Sequence, residues 1–150
     1  MIIDSHCHLT YEPMWNALNE TIDRANKDGI KFMLTISTKD ECFEQILKIV
    51  TNYKSVYGTY GIHPHEAKSH QHIKSIDIIN KVNQNKKIIG VGETGLDFYY
   101  NHSEMKDQIS SFEEHISAAQ KKKSSTYSSY KICRKRNNTN IRKVFEKKRY

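Results

Sequence analysis

Apolar positions along the chain alternate between two spacings. Short unbroken apolar runs occur at Met1-Ile2-Ile3, Phe32-Met33-Leu34-Thr35-Ile36-Ser37, Val56 to Gly61 and Lys87-Ile88-Ile89-Gly90-Val91-Gly92-Glu93. Runs of this length predict strands buried on both faces. Between them apolar residues recur every three or four positions, which predicts amphipathic helices. The first helix carries Met14, Leu18, Ile22 and Ala25, and the second Phe43, Ile46, Leu47 and Val50. The third is marked by Ile73, Ile76, Ile79 and Val82, and the fourth by Met105, Ile109, Phe112, Ile116 and Ala119. Punctuation agrees: Thr10 to Pro13 breaks the chain before the first helix, Asp28-Gly29 ends it, and Thr38-Lys39-Asp40-Glu41 opens the second.

A strand followed by a helix thus repeats four times in 120 residues, which predicts an α/β fold on a parallel sheet. Every polar motif falls where a strand ends: His6 and His8, then His63 and His65, then Glu93 and Asp97. Chemistry at the C-terminal ends of parallel strands suits both a (β/α)8 barrel and an open doubly wound sheet. A flavodoxin-like sheet would be the shorter alternative, but the first strand is followed by a His pair rather than a phosphate-binding turn.

The first eight residues carry the densest chemistry. Along a strand over residues 2 to 8, Asp4, His6 and His8 would share one face. Two imidazoles one strand period apart can hold a divalent ion, and neutral imidazole suits zinc and its first-row neighbours. Glu93 follows two glycines, Gly90 and Gly92, that add no bulk and let a carboxylate approach such an ion. His63 precedes Pro64 and is held extended, a further candidate functional side chain. His65 and Asp97 are weaker candidates for contacting substrate, and Asp97 could equally anchor its loop. Cys7 should face away from the histidines and pack. His70, His72, His102 and His115 are expected on polar faces or loops, in contact with solvent.

At these residues the chain resembles a known family. Asp4-Ser5-His6-Cys7-His8-Leu9, Gly61-Ile62-His63-Pro64-His65, Gly92-Glu93-Thr94-Gly95-Leu96-Asp97 and the helix with Phe112-Glu113-Glu114-His115 resemble the TatD-type metal-dependent deoxyribonucleases. These are (β/α)8-barrel hydrolases of the amidohydrolase kind. The resemblance covers residues 1 to about 120. It implies the N-terminal part of a TIM-type barrel and hydrolysis of DNA phosphodiesters, with two divalent ions (Mg, Mn or Zn) in a complete site. His6 and His8 would bind one ion, Glu93 would be shared between two, and His63 would sit near the substrate phosphate. Glu93 and His63 are then the catalytic candidates, and His63, His65 and Asp97 the substrate-binding ones. Such chemistry is reasonable for a slow, anionic substrate, since two cations can activate water and clamp both reacting oxygens.

Composition changes the picture at one end only. A chain of 150 residues, 37% hydrophobic and 27% charged, suits one soluble domain. No 18-residue apolar run and no signal-peptide pattern is present, which predicts a cytoplasmic protein without membrane contact. Cys7, Cys42 and Cys133 are too far apart to suggest a disulfide framework. The net charge of +7 is uneven: residues 121–150 hold 12 Lys and Arg against one acid, Glu146. That segment carries +11 and the first 120 residues, with 12 basic and 16 acidic side chains, carry −4.

Where the family pattern would continue with a fifth apolar strand ending in His, the chain has Lys121-Lys122-Lys123 and then Ser124-Ser125-Thr126-Tyr127-Ser128-Ser129-Tyr130. This reads as a basic, irregular tail with neither strand nor helix patterning. Three lysines imply an adenine tract, and a one-base shift from Lys123 permits Asn-Leu-Pro-Leu-Ile-Leu-His followed by an amphipathic helix. A frameshift near Lys123 is therefore expected, and the coding DNA around Lys121 tests it. A chain bearing about half of a two-metal site should show weak nuclease activity or none. The rival readings are another amidohydrolase-type ester or amide hydrolase, a non-catalytic nucleic-acid binder acting through the tail, and a remnant without function. Binding through the tail would be steeply salt-dependent. Oligomeric state is left open.

Overall fold

The computed structural model describes residues 1–100 and 102–122, together with the backbone of residues 125–131. Strands β1 (Ile2–Cys7), β2 (Ile30–Thr35), β3 (Val56–Tyr60), β4 (Ile88–Asp97) and β5 (Ser125–Lys131) alternate with helices α1 (Leu18–Lys27), α2 (Phe43–Asn52), α3 (Ser75–Asn83) and α4 (Met105–Lys122). All pairings are parallel and the spatial order is β1-β2-β3-β4-β5. Strand order that follows chain order without reversal is the winding of a barrel. A doubly wound sheet changes direction at a switch point, and this one does not. The chain therefore forms an open half-barrel, α/β throughout.

Helices cover one face. Along β2 to β4 the side chains turned toward them are fully buried: Met33, Thr35, Val56, Tyr60 and Ile88. Phe43 and Ile46 of α2 have no exposed surface and pack with Tyr60, Ile78, Val82 and Val91. Removing a side chain such as Phe43 from this cluster would cost about 3–5 kcal/mol, because the transfer loss and the cavity add. The opposite, concave face is open. Ile3, Phe32 and Ile89 are 54%, 39% and 45% exposed and, with Leu34 and Tyr57, line a groove of about 270 Å³.

Four details differ from the sequence expectation. Residues after Pro13 form turns before α1 begins at Leu18, held by Trp15 N–H to Tyr11 O at 3.0 Å and Ala17 N–H to Pro13 O at 3.2 Å. In α3 the buried apolar residues are Ile78 and Val82, one turn apart, while Ile76 is 58% exposed. The isoleucines offered two overlapping helical stripes, and packing against α4 and β4 selected one. β4 continues past Glu93 to Asp97 rather than ending at the motif.

The fourth difference is β5. Residues 125–131, expected to be irregular, pair with β4 from Gly90↔Ser125 to Asp97↔Lys131. A strand edge offers backbone donors and acceptors to any extended partner, so apolar side chains are not required for pairing. Thr126, Tyr127 and Tyr130 also favour extended backbone. The basic segment 132–150 lies outside the described residues. Among the described residues, no helix is long and apolar enough to cross a membrane.

Candidate metal and hydrolase centre

The site lies at the C-terminal ends of the strands. β1 ends at Cys7, so His6 is in its last pleat and His8 lies just beyond it; their Nε2 atoms are 3.2 Å apart. His8 is braced by Tyr11, whose ring stacks on it at 5.0 Å and 13° and whose hydroxyl bonds Thr38 Oγ at 2.8 Å. Glu93 enters from β4, its N–H donating to Ser37 O at 2.7 Å. Ser37 in turn donates through its hydroxyl to Gly61 O at 3.1 Å, joining the ends of three strands. Gly61 has no spare room: a Cβ there would lie 2.4 Å from Gly92 Cα and 2.8 Å from the Glu93 carbonyl oxygen. Glycine is required at this crossing by close approach of two backbones.

One ligand-capable atom from each of His6, His8 and Glu93 falls within 4.8 Å of the others. The Glu93 carboxylate faces His6 Nε2 at 3.7 Å and His63 Nε2 at 3.8 Å, both beyond hydrogen-bonding range. Two imidazoles and a carboxylate form a donor set that divalent metals accept. The two imidazoles share a hydrogen bond through their Nε2 atoms, the Glu93 carboxylate stands beyond hydrogen-bonding range of His6 and His63, and the buried Nδ1 of His8 has no hydrogen-bond partner among the described residues. Asp4 departs from the expected shared face: its carboxylate accepts from the His6 N–H at 3.1 Å and takes no place in the three-residue group. Cys7 turns inward, its thiol donating to Leu34 O at 3.4 Å, and burial pushes that thiol up to about 12.

The second strand-end group is closed. His65 Nε2 and Asp97 Oδ2 are 2.8 Å apart, and Asp97 Oδ1 accepts from Tyr99 N–H at 3.0 Å and Tyr100 N–H at 3.3 Å. Burial alone would raise the Asp97 carboxyl, but these hydrogen bonds hold it below the usual carboxylate range. Gln108, with no exposed surface, clamps the Asp97 backbone through both ends of its amide, at 2.7 and 3.0 Å. His63 lies between the two groups. The His65 N–H donates to His63 Nδ1 at 3.2 Å, which in the neutral ring leaves the proton on Nε2, facing Glu93. Burial lowers the His63 pKa from its ordinary value, with Glu93 pulling the other way.

Two histidines expected in solvent are buried instead. His115 is 1% exposed; its Nε2 accepts from Ile62 N–H at 3.0 Å, and its Nδ1 bonds Ser111 O at 2.7 Å. It thereby positions the loop that carries His63. Desolvation brings its pKa down to about 4. His70, 4% exposed, bonds Glu66 O at 2.9 Å and Glu41 Oε2 at 3.1 Å. Neither lay next to an apolar strand in sequence, and their burial comes from contacts 29 and 53 residues away. Tyr11 and Gln108 were likewise outside the candidate list, since nothing local marks a ring or amide that braces a distant residue. His72 and His102 are exposed as expected.

The family model for TatD related DNase matches residues 3–125. The chain belongs to that family. A Buchnera aphidicola (subsp. Baizongia pistaciae) protein described as an uncharacterized metal-dependent hydrolase is 35% identical over 118 residues, 77% of this chain and 44% of the relative. The Salmonella typhimurium protein described as the 3′-5′ ssDNA/RNA exonuclease TatD is 29% identical over 118 residues, 79% of this chain and 45% of that one. Among solved structures, the TatD homologue YjjV of Escherichia coli superposes with a TM-score of 0.73 at 22% identity, over 87% of this chain and 51% of that chain. A TatD family hydrolase from Entamoeba histolytica gives 0.71 at 20% identity, over 80% of this chain and 46% of that one. The chain thus spans about half the length of the relatives it matches.

Proposed function

We propose that this chain carries part of a two-cation phosphodiesterase centre acting on DNA, with His6, His8 and Glu93 holding a divalent ion (Mg, Mn or Zn). The observation that supports this reading best is the convergence of those three side chains within 4.8 Å at the strand ends. When bound, a divalent cation there would polarise a phosphoryl oxygen and make water acidic enough to attack near neutral pH. Glu93, the only carboxylate of the group, has one oxygen toward His6 and the other toward His63, so it can serve two cations. His63 presents Nε2–H at the same point and can donate to a phosphate oxygen or the leaving group. His65 and Asp97 fix the loop beside it and border the substrate. The name of the Salmonella relative supports a nucleic-acid substrate over an ester or amide.

Turnover by this chain is expected to be weak or absent, so the first test is calorimetric titration with Mn²⁺ or Zn²⁺. Saturable binding lost in His6→Ala and Glu93→Gln is expected. A wild-type chain that binds neither metal would overturn the reading. Assay of single-stranded oligonucleotide against small esters and amides then tests the substrate class.

A further inference from the structure

Beyond the metal-site candidates lies a set of aromatic rings that the proposed chemistry does not use. Tyr99 and Tyr100, in the loop after β4, are 63% and 53% exposed. Scattered exposed aromatics are ordinary on a protein surface. These are adjacent, and they belong to a continuous series. His63 faces Glu93 at 3.8 Å, and its ring centroid is 4.4 Å from that of His65. His65 lies 4.4 Å from His102 and 5.9 Å from Tyr100. Tyr100 and His102 are nearly parallel, at 6.1 Å and 27°, and Tyr99 stands edge-on to Tyr100 at 4.8 Å. The series therefore runs outward from the Glu93 carboxylate without a gap.

The backbone of Tyr99 and Tyr100 is also held in advance. Asp97 Oδ1 takes the N–H groups of both tyrosines, and Gln108 holds the Asp97 backbone from beneath. A backbone fixed before a ligand arrives loses little freedom when a base stacks on the rings it carries. An aromatic platform beside a site for phosphate is what an unpaired nucleobase needs, because every base has a π-face and stacking is tolerant of sequence.

We infer that Tyr99, Tyr100 and His102 form a stacking platform for an unpaired base of single-stranded nucleic acid, next to the phosphate that His63 would contact. This rests on the phosphodiesterase reading for the position of the phosphate. It adds the residues that would recognise a base.

The test is fluorescence titration of the wild-type chain, in Ca²⁺, with a short single strand containing 2-aminopurine and with an abasic strand of equal length. The platform predicts quenching on binding and tighter binding of the base-bearing strand. Tyr99→Ala and Tyr100→Ala should each weaken that strand by about fivefold to a hundredfold, leave the abasic strand unchanged, and be rescued by Phe. Equal losses for both strands, no loss in either Ala variant, or no binding by the wild type would overturn the platform. Parallel Mn²⁺ titration separates the two proposals. A chain that binds Mn²⁺ yet ignores the base loses only the platform, and one that stacks the base without binding metal loses only the phosphodiesterase reading.

Discussion

β4 ends with two carboxylates four residues apart, and they have opposite surroundings. Glu93 faces two imidazoles at 3.7 and 3.8 Å, too far for a hydrogen bond. Asp97 is saturated: His65 approaches one oxygen at 2.8 Å and two backbone N–H groups bind the other. Both side chains are largely buried, at 8% and 4% residue exposure. Burial of a charge is tolerated only when something answers it. Asp97 is answered by the protein, whereas Glu93 is placed for an answer from outside. The lesson is that an acid at a strand end becomes a ligand candidate through what leaves it unsatisfied. Residue type does not decide this.

The contrast can be broken by exchanging amides for acids. Glu93→Gln should weaken Mn²⁺ binding by at least about a hundredfold, about 2.7 kcal/mol, by removing a direct ligand. Its thermal stability should not fall, because no hydrogen bond of the folded state is lost. A variant that binds Mn²⁺ like the wild type would end the distinction.

His115 sharpens the closed half of the comparison through pH. Its folded-state pKa is about 4 against an ordinary 6.5, so the unfolded chain takes up the proton first as pH falls. Its contribution to stability is complete above pH 6.5 and declines as pH drops toward 4. The loss should reach roughly 3 kcal/mol at the lower limit. Urea unfolding of the wild type and of His115→Gln between pH 7 and 4 checks this. The variant should show a shallower decline, and parallel curves would refute the assignment.

Asp97→Asn should cost about 2 kcal/mol of unfolding free energy, since charge-assisted hydrogen bonds from His65 and the loop are weakened. Its Mn²⁺ affinity should stay within twofold of wild type, the reverse of Glu93→Gln. Smallest is Tyr11→Phe, which removes the Thr38 hydrogen bond beneath His8 and should cost about 1 kcal/mol in denaturant unfolding. Stacking on His8 would persist, so the metal titration should hardly move.

Much of this was legible along the chain. Short apolar runs and helical stripes announced the βα repeat because burial imposes periods of two and 3.6 on side chains. His6, His8, His63, His65 and Asp97 could be placed near strand ends for the same reason, whereas Glu93 lies partway along β4, which continues to Asp97. Other features had no local signature. The strand order that makes a half-barrel depends on which edge each new strand finds, and β5 found the β4 edge without an apolar sequence of its own. The choice of Ile78 over Ile76 was made by α4 and β4.

Sequence by itself thus determined the elements, the end of the sheet where chemistry gathers, and the residue types available there. Tertiary structure decided the roles. Glu93 and Asp97 are nearly equivalent as letters, and so are the several histidines. Only folding brings Tyr99 and Tyr100 amides to one carboxylate and two imidazoles to the other, and only folding buries His115 beneath the Ile62 backbone. Local sequence sets what a side chain can do. Distant neighbours set its desolvation and its partners, and these decide whether it closes a network or waits for a ligand.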